Sequence, residues 1–428
     1  MANQKKLKAS QSVSGQVTLP GSKSITNRIL LLSAISKGAT TIKNTLSSDD
    51  THYMIEALKK LQVELTQKNS GDIIIQGTSG SFKNKSAEIF LGNAGTALRP
   101  LTAVLSLSQG SYTLSGVQRM NERPIKDLVD ALLQLNADIT YLGEIGYPPL
   151  KISPSEIKFE APIKIRGDIS SQFLTALLIC APLSKKEVSI EIIGDLISKP
   201  YIDITLNLMA RFDVHVKKIN WQHFVIPADS QYISPGEIFV EGDASSASYF
   251  LAAGALAGEI EVKGIGENSI QGDVKFADAL ALMGADIHIS ETSIKVSKVK
   301  TLNAITLDCN HIPDAAMTLA VLALFAKGTT RLSNIASWRV KETDRIKAMA
   351  NELRKLGATV IEGKDFIEIT SPLHINENIE IDTYDDHRMA MCFSLVSLKN
   401  IPITINDPAC VNKTFPTYFE VLESIVQH

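Results

Sequence analysis

The chain has 428 residues, about 2.9 times a 150-residue domain, so two or three domains with real cores are expected. Apolar residues make up 44% and charged residues 21%, which excludes a disordered or fibrous protein. The formal net charge of −3 gives no global basic field, so neither nucleic acid nor anionic membrane is an expected partner.

The opening segment, MANQKKLKASQ, lacks the apolar stretch of a secretory signal. The apolar runs Phe173–Leu183 and Met317–Ala326, 11 and 10 residues long, fall short of a membrane span of roughly 20. A cytoplasmic location is expected. Cys180, Cys309, Cys392 and Cys410 form no CxxC pair and no HExxH is present, so neither a disulfide framework nor a metal site is called for.

Taken in chain order, the sequence repeats itself. An apolar helical run, a small or polar break and a short alternating strand appear first as ILLLSAISKGATTIKN. The same landmark returns as RPLTAVLSLSQGSYTLSG, FLTALLICAPLSKKEVSIEI, YFLAAGALAGEIEVKG, AAMTLAVLALFAKGTTRLSN and MAMCFSLVSLKNIPITIND. Aligned on Gly38, Gly110, Lys186, Gly258, Gly328 and Asn400, the breaks lie 72, 76, 72, 70 and 72 residues apart. These helices carry few charges on any face and are expected to be buried nearly all round. An amphipathic helix leading into a strand follows every break but the last, marked by Val63, Ala137, Val214, Ala285 and Ala358.

The sixth unit is short, with 28 residues after Asn400. The strand-like N-terminal segment is expected to complete it. This divides the chain into one lobe of residues 21–240 and a second of 1–20 plus 241–428. Hinges are expected near 20/21 and 240/241.

Each apolar helix is entered through a polar segment: LPGSKSITNR, LGNAGTALRP, RGDISSQF, EGDASSASY, CNHIPDAAM and DTYDDHRMAM. Capping alone explains Ser, Asp, Asn and Gly there. It does not explain Lys23, Arg28 and Arg388, because cations in a first helical turn oppose the helix dipole unless an anion sits there. Arg119, Arg123, Arg339, Lys341, Arg345 and Lys413 occupy comparable loops. Together they predict convergence on one cleft and a small polyanionic ligand. Two acids, Asp314 and Glu342, stand among them. They fit a base and an acid, and equally a cap (Asp314) and an ion-pair partner (Glu342). No Walker, GxGxxG or GxSxG frame supports a nucleotide, a nicotinamide cofactor or a serine nucleophile.

Ten segments in order, LPGSKSITNR, GNAGTALRP, NERPI, SSQFLTALL, SKPYIDIT, EGDASSASYF, NHIPDAAMT, WRVKETDR, DDHRMAM and KTFPTYF, resemble the EPSP synthases (3-phosphoshikimate 1-carboxyvinyltransferases) of the enolpyruvyl transferase family. The resemblance implies a two-lobed, inside-out α/β fold of six βαβαββ repeats, three per lobe. It implies transfer of the enolpyruvyl group of phosphoenolpyruvate to the 5-hydroxyl of shikimate 3-phosphate, by a monomer, without metal or organic cofactor.

By resemblance, Lys23, Ser24 and Arg28 form the shared floor of the site, with Lys23 touching both substrates. Ser170, Ser171, Ser198 and Lys341 hold the phosphate side of shikimate 3-phosphate, with Tyr201 nearby. Gly95, Arg123, Gln172, Arg345, Arg388 and Lys413 match the phosphoenolpyruvate set. Asp314 is the implied proton acceptor and Glu342 helps protonate the enolpyruvyl methylene. Ser337 replaces the usual Asn before WRVKETDR.

Two rivals remain. A UDP-N-acetylglucosamine enolpyruvyl transferase needs a reactive Cys in a loop after the second unit, and this chain has none before Cys180. A non-catalytic anion-binding protein on the same repeat would not need both acids.

Overall fold

The computed structural model describes residues 3–427. The chain forms two compact units, divided at Pro20/Gly21 and Val240/Glu241, with the N-terminal strands belonging to the second. Each unit contains three repeats of one plan. No helix among the described residues is long and apolar enough to cross a membrane.

In the unit Gly21–Val240 the apolar runs form the helices Lys23–Ile35, Gly95–Ser106 and Ser171–Cys180. All but Ser24, Thr96 and Gln172 of their residues are buried. That burial accounts for their near-uniform apolarity: each is surrounded by protein rather than lying on a surface. The helices Asp49–Lys60, Lys126–Leu133 and Lys199–Arg211 keep one solvated face.

Strand Ser86–Phe90 runs through helix Gly95–Ser106 to the parallel strand Ser111–Ser115, whose Ile89 and Leu114 are register partners. Leu150–Ser153 and Asp138–Tyr141 extend that sheet antiparallel. The third repeat copies it with Ile163–Arg166, Val188–Ile193, His223–Ile226 and Lys217–Asn220. The first repeat takes its parallel edge strand, Glu237–Phe239, from the far end of the unit.

The other unit is built on helices Ala244–Ala257, Ala316–Leu322 and His387–Ser394, every residue of which is buried. Here the expectation for the N-terminus needs correction. Gln4–Leu7 does complete the sixth repeat, pairing antiparallel with Ile403–Asn406. Val13–Thr18 instead pairs parallel with Gly258–Lys263 and supplies the first strand of the fourth repeat. The sixth repeat also has its amphipathic helix after all, Tyr418–Ile425, although the sequence shows no spaced landmark for it.

The breaks are turns set by backbone conformation. Left-handed residues occupy Gly38, Gly328 and Asn400, while in the second and third repeats they are Gln109 and Lys185, one position before the aligned residues. Gly258 has a different reason for being glycine. Its backbone is extended, and a Cβ there would lie 1.8 Å from the carbonyl oxygen of Val13. Gly258→Ala is therefore expected to force the N-terminal strand away and to destabilise by about 3 kcal/mol, at the upper end of overpacking effects. Urea denaturation checks this; an unchanged midpoint would mean that the strand pairing yields freely.

Candidate active site

In the unit Gly21–Val240, Lys23, Ser24, Gly95, Ser170, Ser171 and Gln172 lie at the N-terminal ends of the buried helices, while Arg123, Ser198 and Tyr201 follow the second strand of their repeats. Lys23 is the first residue of its helix, and its ammonium lies 3.5 Å from the buried carboxylate of Asp50. Arg28 lies a turn further in, not in the first turn as the sequence placed it. Its Nε donates to Thr205 Oγ1 at 2.9 Å and its Nη1 to the Ser24 carbonyl at 2.8 Å. Nη2 reaches Thr175 Oγ1 and the Tyr201 carbonyl, both at 3.4 Å. These partners are neutral oxygens, and burial lowers the guanidinium to about 10. A buried cation solvated only by dipoles is poised for an anion.

Asn27 donates to Thr96 at 2.8 Å and so ties this helix to the second repeat, where Arg123 is held. Arg123 Nη1 donates to the carbonyl and the side-chain oxygen of Asn93 at 2.9 and 2.8 Å. Its Nε is buried with no hydrogen-bond partner, a donor that a ligand could satisfy. Gly95 makes room for this guanidinium, since a Cβ there would meet Arg123 Nη2 at 2.7 Å and Arg99 Nη1 at 2.9 Å. Ser170 caps the third buried helix by accepting from the Gln172 amide, and Ser171 follows it. Ser198, left-handed at φ 52°, starts the helix that carries Tyr201.

The other unit holds a tight ionic cluster. Asp314 is not the cap of the fifth buried helix, a place taken by Ala315. Its Oδ1 lies 2.8 Å from Arg345 Nη1 and 3.7 Å from Lys341, and its Oδ2 lies 3.1 Å from Arg388. Arg345 also binds Glu342 at 2.8 Å and Asp386 at 2.7 Å. Thus Glu342 is an ion-pair partner. Asp386 caps the sixth helix by accepting from the Arg388 amide, and Arg388 Nη1 donates to Tyr249 Oη at 3.0 Å.

Burial works to raise the Asp314 carboxyl, but Arg388, Lys341 and Arg345 overcome it and hold the group well below the usual carboxylate range. Lys413 is buried near Asp385, whose carboxyl is pushed up by burial and Asp407 and pulled partly back by Lys413. Ser337 is half-buried in the turn Ala336–Val340, which Trp338 anchors by donating to the Pro313 carbonyl at 2.6 Å. Arg339, counted above among ligand-facing cations, instead braces Asp344 and the Gly363 carbonyl. Arg119 pairs with Glu122.

Three cations and three acids therefore interlock in this unit, rather than an unbalanced set of positive charges. An anionic ligand must win these cations from carboxylates. Asp50, Asp386 and Tyr249 went unassigned in the sequence; the acid pairs in SSDD and DDHR were the signals for the two acids, and Tyr249 had none. Among the described residues, no group of three His, Cys, Asp or Glu is placed to hold a metal ion.

Buried helices entered through polar segments and repeated three per unit are the plan of the enolpyruvyl transferase fold, to which solved structures match this chain. The structure of the enolpyruvyl transferase NikO from Streptomyces tendae matches with a TM-score of 0.75 over 98% of this chain and 96% of that one, at 14% identity, a likeness of fold. An EPSP synthase structure from Acinetobacter baumannii reaches 0.82 over 99% and 98% of the two chains, at 25% identity.

The family profile described as EPSP synthase (3-phosphoshikimate 1-carboxyvinyltransferase) matches residues 7–422. The 3-phosphoshikimate 1-carboxyvinyltransferase of Cellvibrio japonicus is 60% identical over 414 residues, covering 96% of this chain and 97% of the relative. That of Cupriavidus necator is 58% identical over 420 residues, covering 96% of each. The chain belongs to the EPSP synthase family.

Proposed function

We infer that the protein transfers the enolpyruvyl group of phosphoenolpyruvate to the 5-hydroxyl of shikimate 3-phosphate. The products are 5-enolpyruvylshikimate 3-phosphate and phosphate, in the shikimate route to aromatic amino acids. Family membership across residues 7–422 is the observation that carries this reading. A monomer acting in the cytoplasm on two small molecules completes it.

The chemistry makes sense of the residues. Phosphoenolpyruvate becomes electrophilic at C2 when its C3 gains a proton, and the attacking hydroxyl must lose one. We assign Glu342 to the first transfer and Asp314, which also contacts shikimate hydroxyls, to the second. Both substrates are anions, so cations must offset their repulsion while holding them in line. Lys23, Ser24 and Arg28 are assigned to the shared floor, with Lys23 touching both substrates and aiding catalysis. Ser170, Ser171, Ser198, Tyr201, Ser337 and Lys341 are assigned to shikimate 3-phosphate. Gly95, Arg123, Gln172, Arg345, Arg388 and Lys413 are assigned to phosphoenolpyruvate.

One assay tests the reaction: phosphate release from phosphoenolpyruvate that depends on added shikimate 3-phosphate. Binding of either anion without release would favour a non-catalytic anion-binding protein. Within the reaction, Arg123→Gln should raise the KM for phosphoenolpyruvate by about tenfold or more, the scale of one lost charge-assisted hydrogen bond, with a smaller change in kcat. A loss confined to kcat would remove Arg123 from the binding set.

A further inference from the structure

One buried acid of the second unit lies outside every role assigned above. Asp273 sits in the short turn Gly272–Lys275, which packs on the start of the helix Ala244–Ala257, and it is 7% exposed. The preceding Gln271 fixes this turn: its Oε1 accepts from the Ala244 amide at 3.1 Å and its Nε2 donates to the Gly242 carbonyl at 2.7 Å. One oxygen of Asp273 accepts a short hydrogen bond from Ser245 Oγ. The other, Oδ1, is buried without a hydrogen-bond partner.

The charged groups that act on it come from three elements. Asp243 stands at the cap of the same helix, Asp314 at the start of the fifth buried helix, and Arg388 in the first turn of the sixth. Glu241 is engaged by Gln271 and Ser269 beside the turn.

We propose that Asp273 is a positioning residue for phosphoenolpyruvate, its proton governing how much of the Arg388 charge is offered to the substrate. This rests on the reading of Arg388 as a phosphoenolpyruvate ligand. Ser245, which donates to Asp273, lies one turn before Tyr249, which accepts from Arg388 Nη1 at 3.0 Å, so acid and guanidinium attach to the same face of one helix. A bare carboxylate oxygen buried with no donor is unfavourable, whereas the neutral acid is far less so. Burial and the Asp314 charge raise the Asp273 carboxyl to about 7, against the Ser245 hydrogen bond and Arg388. Below that pH the acid is neutral and adds no negative charge beside that of Asp314. Above it, a second negative charge competes for the same guanidinium. An arriving anion draws on Arg388 and so strengthens the hold of Asp273 on its proton. By linkage, the anion binds more weakly as pH rises through this range.

The test is the KM for phosphoenolpyruvate of the full chain between about pH 6 and pH 8.5, for wild type, Asp273→Asn and Ser245→Ala. Taking the ratio of each variant to wild type cancels the ionisation of the substrate itself. Wild type should lose roughly fivefold to tenfold in apparent affinity across this range relative to Asp273→Asn, the scale of one nearby charge. Ser245→Ala, which removes the donor that favours the ionised acid, should move the loss to higher pH. A purely structural role would shift KM equally at every pH.

If Asp273→Asn keeps the wild-type slope, or Ser245→Ala leaves its position unmoved, the proposal is overturned. Arg388→Gln separates the two readings. No rise in KM for that variant removes Arg388 from substrate binding. A rise in KM with an unaltered Asp273→Asn slope rejects the role of Asp273 alone.

Discussion

Asp314→Ala is expected to lower kcat by about 10²–10⁴, the contribution of a positioned general base, without raising the KM for phosphoenolpyruvate. The direction of the KM effect follows from the cluster. Asp314 neutralises part of the charge on Arg345, Lys341 and Arg388. Its removal leaves a surplus of positive charge, which favours anions. A variant with intact turnover and a raised KM would make Asp314 a binding residue and remove it as the base.

The pH dependence follows from the same contacts. Burial raises the carboxyl, Arg388, Lys341 and Arg345 lower it further, and the group ends well below the usual range. The ionised, proton-accepting form is therefore present throughout the neutral and mildly acidic range. The kcat/KM profile should show no acid limb from Asp314 above about pH 4, the ordinary carboxylate value. So acidic a group is a weak base in the free protein. Anionic substrates that draw Arg388, Arg345 and Lys341 toward themselves would restore its basicity where it is needed.

Much of this architecture was legible because it is written in spacing. A helix buried on every side must be apolar on every side, so its six copies stand out at intervals of about 72 residues. Where the second of the two N-terminal strands goes was not legible. Strand pairing depends on which sheet edge is left open, and Val13–Thr18 reaches the fourth repeat while Gln4–Leu7 reaches the sixth. The cations were visible as residues that capping could not explain. Their counter-charges were not, because Asp50 lies 27 residues from Lys23 and Asp386 lies 41 from Arg345. A carboxylate looks alike in sequence whether it meets water or a buried guanidinium. WRVKETDR shows the limit well: Arg339 and Asp344 brace the loop, while Lys341, Glu342 and Arg345 enter the cluster.

The largest stability effect is expected at Arg345. It is 1% exposed and binds Asp314, Glu342 and Asp386 at 2.8, 2.8 and 2.7 Å. Arg345→Met keeps the apolar stem but removes a cation shared by three buried or part-buried acids, so a loss of about 3–5 kcal/mol is expected at pH 7, the usual effect of breaking a buried ion pair from one side. Arg345→Lys should recover only a minor part, since one ammonium cannot reproduce a planar fork spread across three carboxylates. The sign of the pH effect can be fixed from Asp314. Its folded-state value is depressed, so its stabilisation is complete above the unfolded value of about 3.9 and fades as pH falls through the lower folded value. In the variant Asp314 loses one of the three cations that depress it and takes up its proton more readily. The gap between wild type and variant should therefore narrow as pH falls from 7 toward about 4. Arg345 belongs to the unit that begins again at Glu241. Urea unfolding should accordingly show that unit melting early while Gly21–Val240 keeps its own midpoint, giving two transitions where two-state behaviour fails. A variant whose midpoint at pH 7 equals that of the wild type would show that the three acids do not depend on this guanidinium.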